Sequence, residues 1–442
     1  MRMRLSYSEI VKATNAKVIK GSENGNLFGF STDSRTVEKG QIYIALSGEK
    51  FDGHDFLNSV KGKGASGCII SDETKLSDGF DCVFLVPDTK TAYLELSSFY
   101  KQKQNVKTIA ITGSNGKTTT KEMMYSVCSQ KFNTVKTKLN HNNEIGLCQT
   151  LSDLTDKDDV LIVEMGMRGL GEIELLSRYA KPDLAIIVNV TETHIGRLGS
   201  IENIAKAKCE ITSHLNPKGT LVALDSDLIK NANTFKGETI YFSLSSPDLK
   251  ILETTINSSK FEYKGQVYEL NISGEYNIQN SLGVIETALK LGIEPELIAK
   301  GLKEFKQIEK RWEELKVKDF NIINDSYNAS PASVRASVKT FLTYTPSPRV
   351  IVFGNMGELG SDEVKYHKEI GEYLNDFECD ELLTLGDLAK NASPKNIVTH
   401  HFSTKEDLVS YMINNLKKGT NVLLKASRSM KFEEIIKELE ER

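Results

Sequence analysis

The run Gly113-Ser114-Asn115-Gly116-Lys117-Thr118-Thr119 gathers three kinds of phosphate ligand into one short turn. Its glycines open the backbone so that N–H groups can converge on an anion, Lys117 brings an ammonium, and Thr118 brings a hydroxyl suited to Mg²⁺. An apolar run at residues 106–112 precedes it and a polar, helix-forming stretch at 117–130 follows. A phosphate loop needs that strand–turn–helix setting, although this one is two residues shorter than the common GxxxxGK[ST] pattern. By the usual division of labour, Lys117 reaches the β- and γ-phosphates and Thr118 reaches the metal. The turn therefore reads as a site for ATP or GTP. It does not say whether the γ-phosphate passes to water, a hydroxyl or a carboxylate.

Other residue types with chemical capacity lie downstream. Glu164 closes the apolar run 159–164, where a carboxylate at the end of a neighbouring strand can reach the metal of a nucleotide. His194 lies just beyond the run 184–190, on the same expected edge. Mg²⁺ prefers oxygen ligands, so an imidazole there is unusual by chemistry alone. Lys206 and Lys208 stand two apart on an expected helix, hence on different faces, and by themselves read as solvated lysines. Asn140, Asn142 and Asn143 flank His141 ahead of an apolar helix, which suits either helix capping or contact with a polar substrate. Asp33-Ser34-Arg35 and the stretch at 51–56 are ambiguous in the same way.

These groups need a scaffold, and the pattern supplies one. Apolar runs at 106–112, 159–164, 184–190 and 219–224 alternate with helical patterns at 117–130, 170–180 and 201–214. Buried runs alternating with helices imply a parallel sheet covered on both faces. The rhythm breaks at 251–274, where polar and apolar residues alternate around Lys264-Gly265, the mark of an antiparallel hairpin. Helices follow at 275–291 and 295–305, and a second α/β unit starts near Arg311 with strands at 320–324, 349–353, 381–385 and 421–424. In the first hundred residues, short runs at 41–46, 67–70 and 82–86 mix with helices. The expected fold is α/β with three domains, at 1–103, 104–310 and 311–442. A chain of 442 residues fits that number.

Composition narrows the class. With 39% hydrophobic and 26% charged residues and a net charge of −4, the chain reads as globular, with no excess of basic charge for nucleic acid or anionic membranes. The six cysteines are scattered, without a CxxC pair, as in a reducing compartment. The first residues lack an apolar core for a signal peptide, and no run approaches a membrane span, so a cytoplasmic location is expected; a monomer is also expected.

Taken together, the short phosphate loop, the EMG at 164–166, His194 with Lys208 downstream, the GEYNIQN at 274–280, Arg311, the NDSYNASP at 324–331, the FGNMGELG at 353–360 and the KASRSM at 425–430 resemble the Mur ligase family. The resemblance runs along essentially the whole chain. It implies a UDP-substrate domain at the start, a central ATP-binding domain and a Rossmann-like C-terminal domain that closes over the nucleotide. The DSYNASP, GNMGELG and KASRSM stretches point, within the family, to members that take D-alanyl-D-alanine. On that resemblance, ATP and Mg²⁺ activate the carboxylate of UDP-N-acetylmuramoyl-tripeptide as an acyl phosphate, and the amine of D-alanyl-D-alanine attacks it. The resemblance puts Thr118 and Glu164 on one metal and His194 on another. It also makes Lys208 the lysine that the family carbamylates. Asn277 and Asn280 fall near adenine, while Arg311, Asp325, Tyr327 and Asn328 help the third domain close. His367 falls among the catalytic residues, and Ser34, Arg35, Asn140 and Asn143 on the substrate side. Tyr276, Lys310, Trp312, Ser330 and Asn355 depart from the pattern.

Three other readings compete. A sugar phosphotransferase needs no amine, a nucleotide switch needs neither acyl acceptor nor amine, and another Mur-type amino-acid ligase, folylpolyglutamate synthetase included, is a near neighbour within the family. The switch predicts an NKxD motif, which the sequence lacks. The first hundred residues argue against the folate enzyme.

Overall fold

The computed structural model describes residues 1–21, 27–48, 51–138, 140–306 and 310–442. Three sheets of six strands and one small antiparallel sheet carry the chain, so the α/β, three-domain expectation holds. The first sheet runs β1 (Arg4–Ser6), β3 (Leu27–Ser31), β4 (Ile42–Ile44), β5 (Gly67–Ile70), β6 (Cys82–Leu85) and β2 (Lys17–Lys20). The helix Thr89–Lys103, capped by the Asp88 carboxylate on the Thr91 N–H, leaves this sheet and packs on the helix Glu144–Ser152. Ser97 Oγ lies 3.1 Å from Ser152 Oγ, Tyr100 donates to the Leu154 carbonyl, and one apolar core runs through the junction.

In the second sheet, β7 (Lys107–Thr112), β8 (Thr134–Lys136), β9 (Val160–Glu164), β10 (Leu184–Ile187), β11 (Thr220–Leu224) and β12 (Glu238–Phe242) are all parallel, in the order β12-β11-β10-β7-β9-β8. Every residue of β9 and β10 is buried, as expected of strands covered on both faces. The run expected as a strand to residue 190 leaves the sheet after Ile187. The next residues are diverted to hold the phosphate loop. The helix expected over 201–214 stops at Cys209 and tightens into a 3₁₀ turn, Glu210–Thr212.

The expected hairpin at 251–274 is present, as β14 (Ser259–Tyr263) and β15 (Gln266–Leu270), and a third strand, β13 (Leu249–Thr254), joins it. Lys264 and Gly265 turn at φ 49° and 79°, the pair of positive values a two-residue turn demands. The last sheet has the order β16-β17-β21-β18-β19-β20, where β16 is Glu313–Val317, β17 Phe320–Asn324, β18 Arg349–Gly354, β19 Glu381–Leu385, β20 Val398–Phe402 and β21 Asn421–Lys425. Only β16 runs antiparallel to its neighbour. No helix among the described residues is long and apolar enough to cross a membrane.

Candidate active site

A cleft of about 860 Å³ is lined by the carboxyl edges of both large parallel sheets. Open α/β sheets bind ligands at that edge, where strand order reverses. From the central domain come the phosphate loop after β7, Glu164 at the end of β9 and the segment after β10. The C-terminal domain supplies Asp325, Tyr327 and Asn328 after β17, Glu358 beyond β18, and Lys425 at the end of β21.

The loop is strapped in place. The Ser114 N–H donates to the Asn189 carbonyl (3.0 Å), and the Asn115 N–H to Asn189 Oδ1 (2.9 Å). Asn115 Nδ2 reaches Thr191 Oγ1 at 3.0 Å, while the Thr191 N–H donates to Ser114 Oγ at 2.9 Å. Gly116 stands at φ 78° at the start of the helix Lys117–Cys128, and a Cβ there would meet the Asn280 amide at 2.9 Å. Only glycine fits both the backbone and the space. Lys117 Nζ folds back on the carbonyls of Gly113 (2.7 Å) and Ser114 (3.1 Å). Its withdrawal from water lowers its pKa from the usual lysine value; Glu164 opposes this and Arg311 adds to it.

Glu164 is nearly sealed, with 1% of its side chain exposed. Oε1 accepts from Asn142 Nδ2 at 2.9 Å, while Oε2 has no hydrogen-bond donor. His194 occupies the left-handed region, φ 66°, with Nδ1 2.6 Å from Glu358 Oε2 across the domain boundary. That contact holds the Glu358 carboxyl below the usual carboxylate range. Lys208 lies outside the cleft lining, fully buried, and its Nζ has no hydrogen-bond partner among the described residues. Burial, and then the positive charge of Lys117, push its pKa well below the usual lysine value.

Thr118 and Thr119 line the cleft, as do Asn140, Asn143, Asn277, Asn280 and Arg311. Asn143 also caps the helix Glu144–Ser152 through Oδ1 on the Gly146 N–H. Asn277 Nδ2 donates to the Ser273 carbonyl (2.6 Å), which orients the amide and leaves Oδ1 a buried acceptor without a donor. Arg311 stacks 4.1 Å from the centre of the Tyr327 ring and donates to Thr118 Oγ1 (3.2 Å). Of the residues that depart from the family pattern, Tyr276 and Trp312 line the cleft. Ser330 both caps the helix Pro331–Tyr344 and donates to Asn115 Oδ1 at 3.1 Å.

Besides Lys208, and Gly113 at the base of the loop, three expected site residues do not line the cleft. His367 is buried within the C-terminal domain, where Nε2 accepts from the Met356 N–H (2.9 Å) and Nδ1 lies 2.7 Å from the Glu363 carbonyl. With both nitrogens committed to backbone, it braces the turn after β18 and has no lone pair for catalysis. Ser34 and Arg35 sit in the first domain, beside a hollow of about 320 Å³ lined by Asp33 and Thr36. Arg35 is paired with Asp33 at 2.7 Å. Asn142, singled out only within the amide cluster, lines the cleft, and so do Asn189, Thr191, Glu358 and Lys425, which were given no site role from the sequence. Glu358 and Lys425 fall inside the stretches at 353–360 and 425–430, which were the only signal for them; nothing local marks Asn189 or Thr191.

Among the described residues no group of three or more His, Cys, Asp or Glu side chains forms a metal cage. A hard cation here would rest on one or two protein oxygens, with phosphates and water completing its shell, which is the habit of Mg²⁺.

Fold and cleft define a phosphate-loop enzyme whose nucleotide site is shared by two α/β domains. The chain belongs to the Mur ligase family. Residues 28–114 match the Mur ligase family catalytic domain, 111–288 the Mur ligase middle domain, and 310–428 the Mur ligase glutamate ligase domain. A UDP-N-acetylmuramoyl-tripeptide–D-alanyl-D-alanine ligase of Bacillus subtilis is 36% identical, over 98% of this chain and 97% of its own. The ligase of that name from Escherichia coli is 30% identical over 93% of each chain. The crystal structure of MurF from Acinetobacter baumannii superposes with a TM-score of 0.92 at 28% identity, covering 100% of this chain and 99% of its own. MurF ligase from Thermotoga maritima, solved in complex with ADP, gives 0.84 at 28% identity over 94% and 97%.

Proposed function

We propose that the chain is an ATP-dependent ligase that adds D-alanyl-D-alanine to UDP-N-acetylmuramoyl-tripeptide in peptidoglycan precursor synthesis. The observation that carries this reading is the shared cleft, in which a phosphate loop and Glu164 face a second domain's Arg311, Asp325 and Lys425, in a chain alike over its full length to ligases of this name.

The chemistry follows from the groups present. A free carboxylate resists an amine because it has no adequate leaving group. Transfer of the γ-phosphoryl to the tripeptide carboxylate makes an acyl phosphate and releases ADP. The dipeptide amine then attacks the acyl carbon, the tetrahedral centre collapses, the amide forms, and phosphate leaves with the acyl oxygen. Two anions must meet for the first step, so positive groups and donors aimed at the growing charge dominate catalysis. Lys117, which rests on the loop carbonyls, would turn onto the β- and γ-phosphates, and Arg311 would neutralise charge beside Thr118.

Thr118 Oγ1 and Glu164 Oε2, an acceptor left without a donor, suit Mg²⁺ bound with the nucleotide. Mg²⁺ there would neutralise phosphate charge. Lys208 carries a buried amine whose neutral form is favoured. Its lone pair can add to the carbon of CO₂ with loss of a proton, giving a carbamate whose two oxygens suit a hard cation. On the family resemblance, His194 would serve a second metal, and a Lys208 carbamate would add oxygen ligands. The buried Asn277 Oδ1 would accept from the exocyclic amine of adenine and disfavour guanine, which presents a carbonyl at that position. Ser34 and Arg35 belong to the uridine side of the first domain, and Asn140 and Asn143 to the acceptor peptide. The domains divide, on this reading, at 1–103, 104–310 and 311–442.

Phosphate release tests the reading. It should require ATP, UDP-N-acetylmuramoyl-tripeptide and D-alanyl-D-alanine together, with much slower release when a single D-alanine or a dibasic amino acid replaces the dipeptide. Turnover without any amine would point to a phosphotransferase instead.

A further inference from the structure

One buried cation has no place in the steps above. Lys121, one turn beyond Lys117 on the helix Lys117–Cys128, is fully buried. Its Nζ lies 3.6 Å from Glu164 Oε2 and 3.3 Å from Glu122 Oε1. Glu122 in turn pairs with Lys136, which sits 4.0 Å over the Tyr125 ring at the half-exposed end of the row. Four charges of alternating sign thus run inward from the surface and end on the carboxylate that lines the cleft. Oε1 of that carboxylate is spoken for by Asn142, so Oε2 is the atom that both Lys121 and a metal would address.

We infer that Lys121 is a positioning residue: a fixed positive charge behind Glu164 that holds Oε2 toward the cleft and stands in for the metal until the nucleotide brings it. The inference rests on the assignment of Glu164 to the metal. Removing one partner of a buried ion pair leaves the other charge uncompensated, which costs far more than the pair gains. A divalent cation arriving at Glu164 can restore that compensation. Loss of Lys121 should therefore be repaired by metal, which loss of an ordinary packing contact would not be.

The test compares wild type, Lys121→Met, Glu164→Gln and the double variant by thermal unfolding with saturating ADP, in EDTA and in MgCl₂. In EDTA, Lys121→Met should melt about 3–8 °C below wild type. The double variant, with both charges gone, should melt within about 2 °C of Glu164→Gln. In MgCl₂ the midpoint of Lys121→Met should rise by clearly more than that of wild type, while Glu164→Gln should respond least. An equal deficit for Lys121→Met with and without Mg²⁺ overturns the inference and leaves the metal assignment standing. A wild-type Mg²⁺ response in Glu164→Gln overturns the metal assignment and the inference with it. Should Lys121→Met not accumulate as folded protein, the double variant decides: folding near the Glu164→Gln midpoint supports the pairing, and failure to fold refutes it.

Discussion

At the residue scale, Lys206 and Lys208 show how much a fold adds to a pattern. Two lysines on one helix are indistinguishable by type, and their spacing says only that they face different ways. The structure leaves Lys206 exposed and encloses Lys208 completely, with Nζ unpartnered. A buried amine with no acceptor is costly when charged, so its presence asks for a chemical reason. The proposed carbamate would supply one. Lys208→Ala should lower kcat by about a hundredfold or more, the scale of a lost transition-state electrostatic group. Millimolar acetate should restore part of that loss, by returning a carboxylate to the vacated space. Lys206→Ala should stay within about 0.5 kcal/mol of wild type in stability and close to it in rate. Steady-state kinetics on the two variants, with and without acetate, checks both statements. Glu164 and the phosphate loop were legible beforehand because strand, turn and carboxylate are all local signals. His367 was not. Its two backbone partners come from the preceding turn of its own helix and from the loop after β18, a geometry that no spacing reveals.

At the scale of elements, the strands of the two large cleft-forming sheets that the sequence pattern passed over share one property. β8 and β12 close the two ends of the central sheet, and β16 and β20 those of the C-terminal sheet. Their residues are largely half-buried or exposed, and sequences such as GluGluLeuLysVal at 313–317 carry the charges that edge strands tolerate. Buried inner strands announce themselves by continuous apolar runs, whereas edge strands do not. The contact between domains was equally silent in the sequence. In the short helix Ile195–Leu198, Gly196 meets Gly360 so closely that a Cβ on Gly196 would lie 2.5 Å from the Gly360 nitrogen. The flanking His194–Glu358 contact spans the same junction. Gly196→Val should push the two elements apart without touching the phosphate loop. We expect ADP affinity within about threefold of wild type, kcat down by about a hundredfold through misplacement of the facing walls, and a larger radius of gyration in small-angle scattering with ADP bound. An unchanged rate would show that this contact plays no part in assembling the site.

At the scale of the whole molecule, the chain works because two sheets turn their carboxyl edges to the same cleft while the first domain rides on the helix Thr89–Lys103. The C-terminal domain touches the phosphate loop directly, through Arg311 on Thr118 and Ser330 on Asn115. Neither substrate domain alone holds a complete site, which suits an enzyme that must bring a nucleotide, an acyl acceptor and an amine together before reaction. The central claim is that the γ-phosphate activates a carboxylate, and one isotope experiment addresses it. UDP-N-acetylmuramoyl-tripeptide labelled with heavy oxygen in its terminal carboxylate is turned over with ATP and D-alanyl-D-alanine, and the released phosphate is analysed by mass. An acyl phosphate delivers one carboxylate oxygen to phosphate for each amide formed. Phosphate that carries no label, while amide is made, would contradict the account.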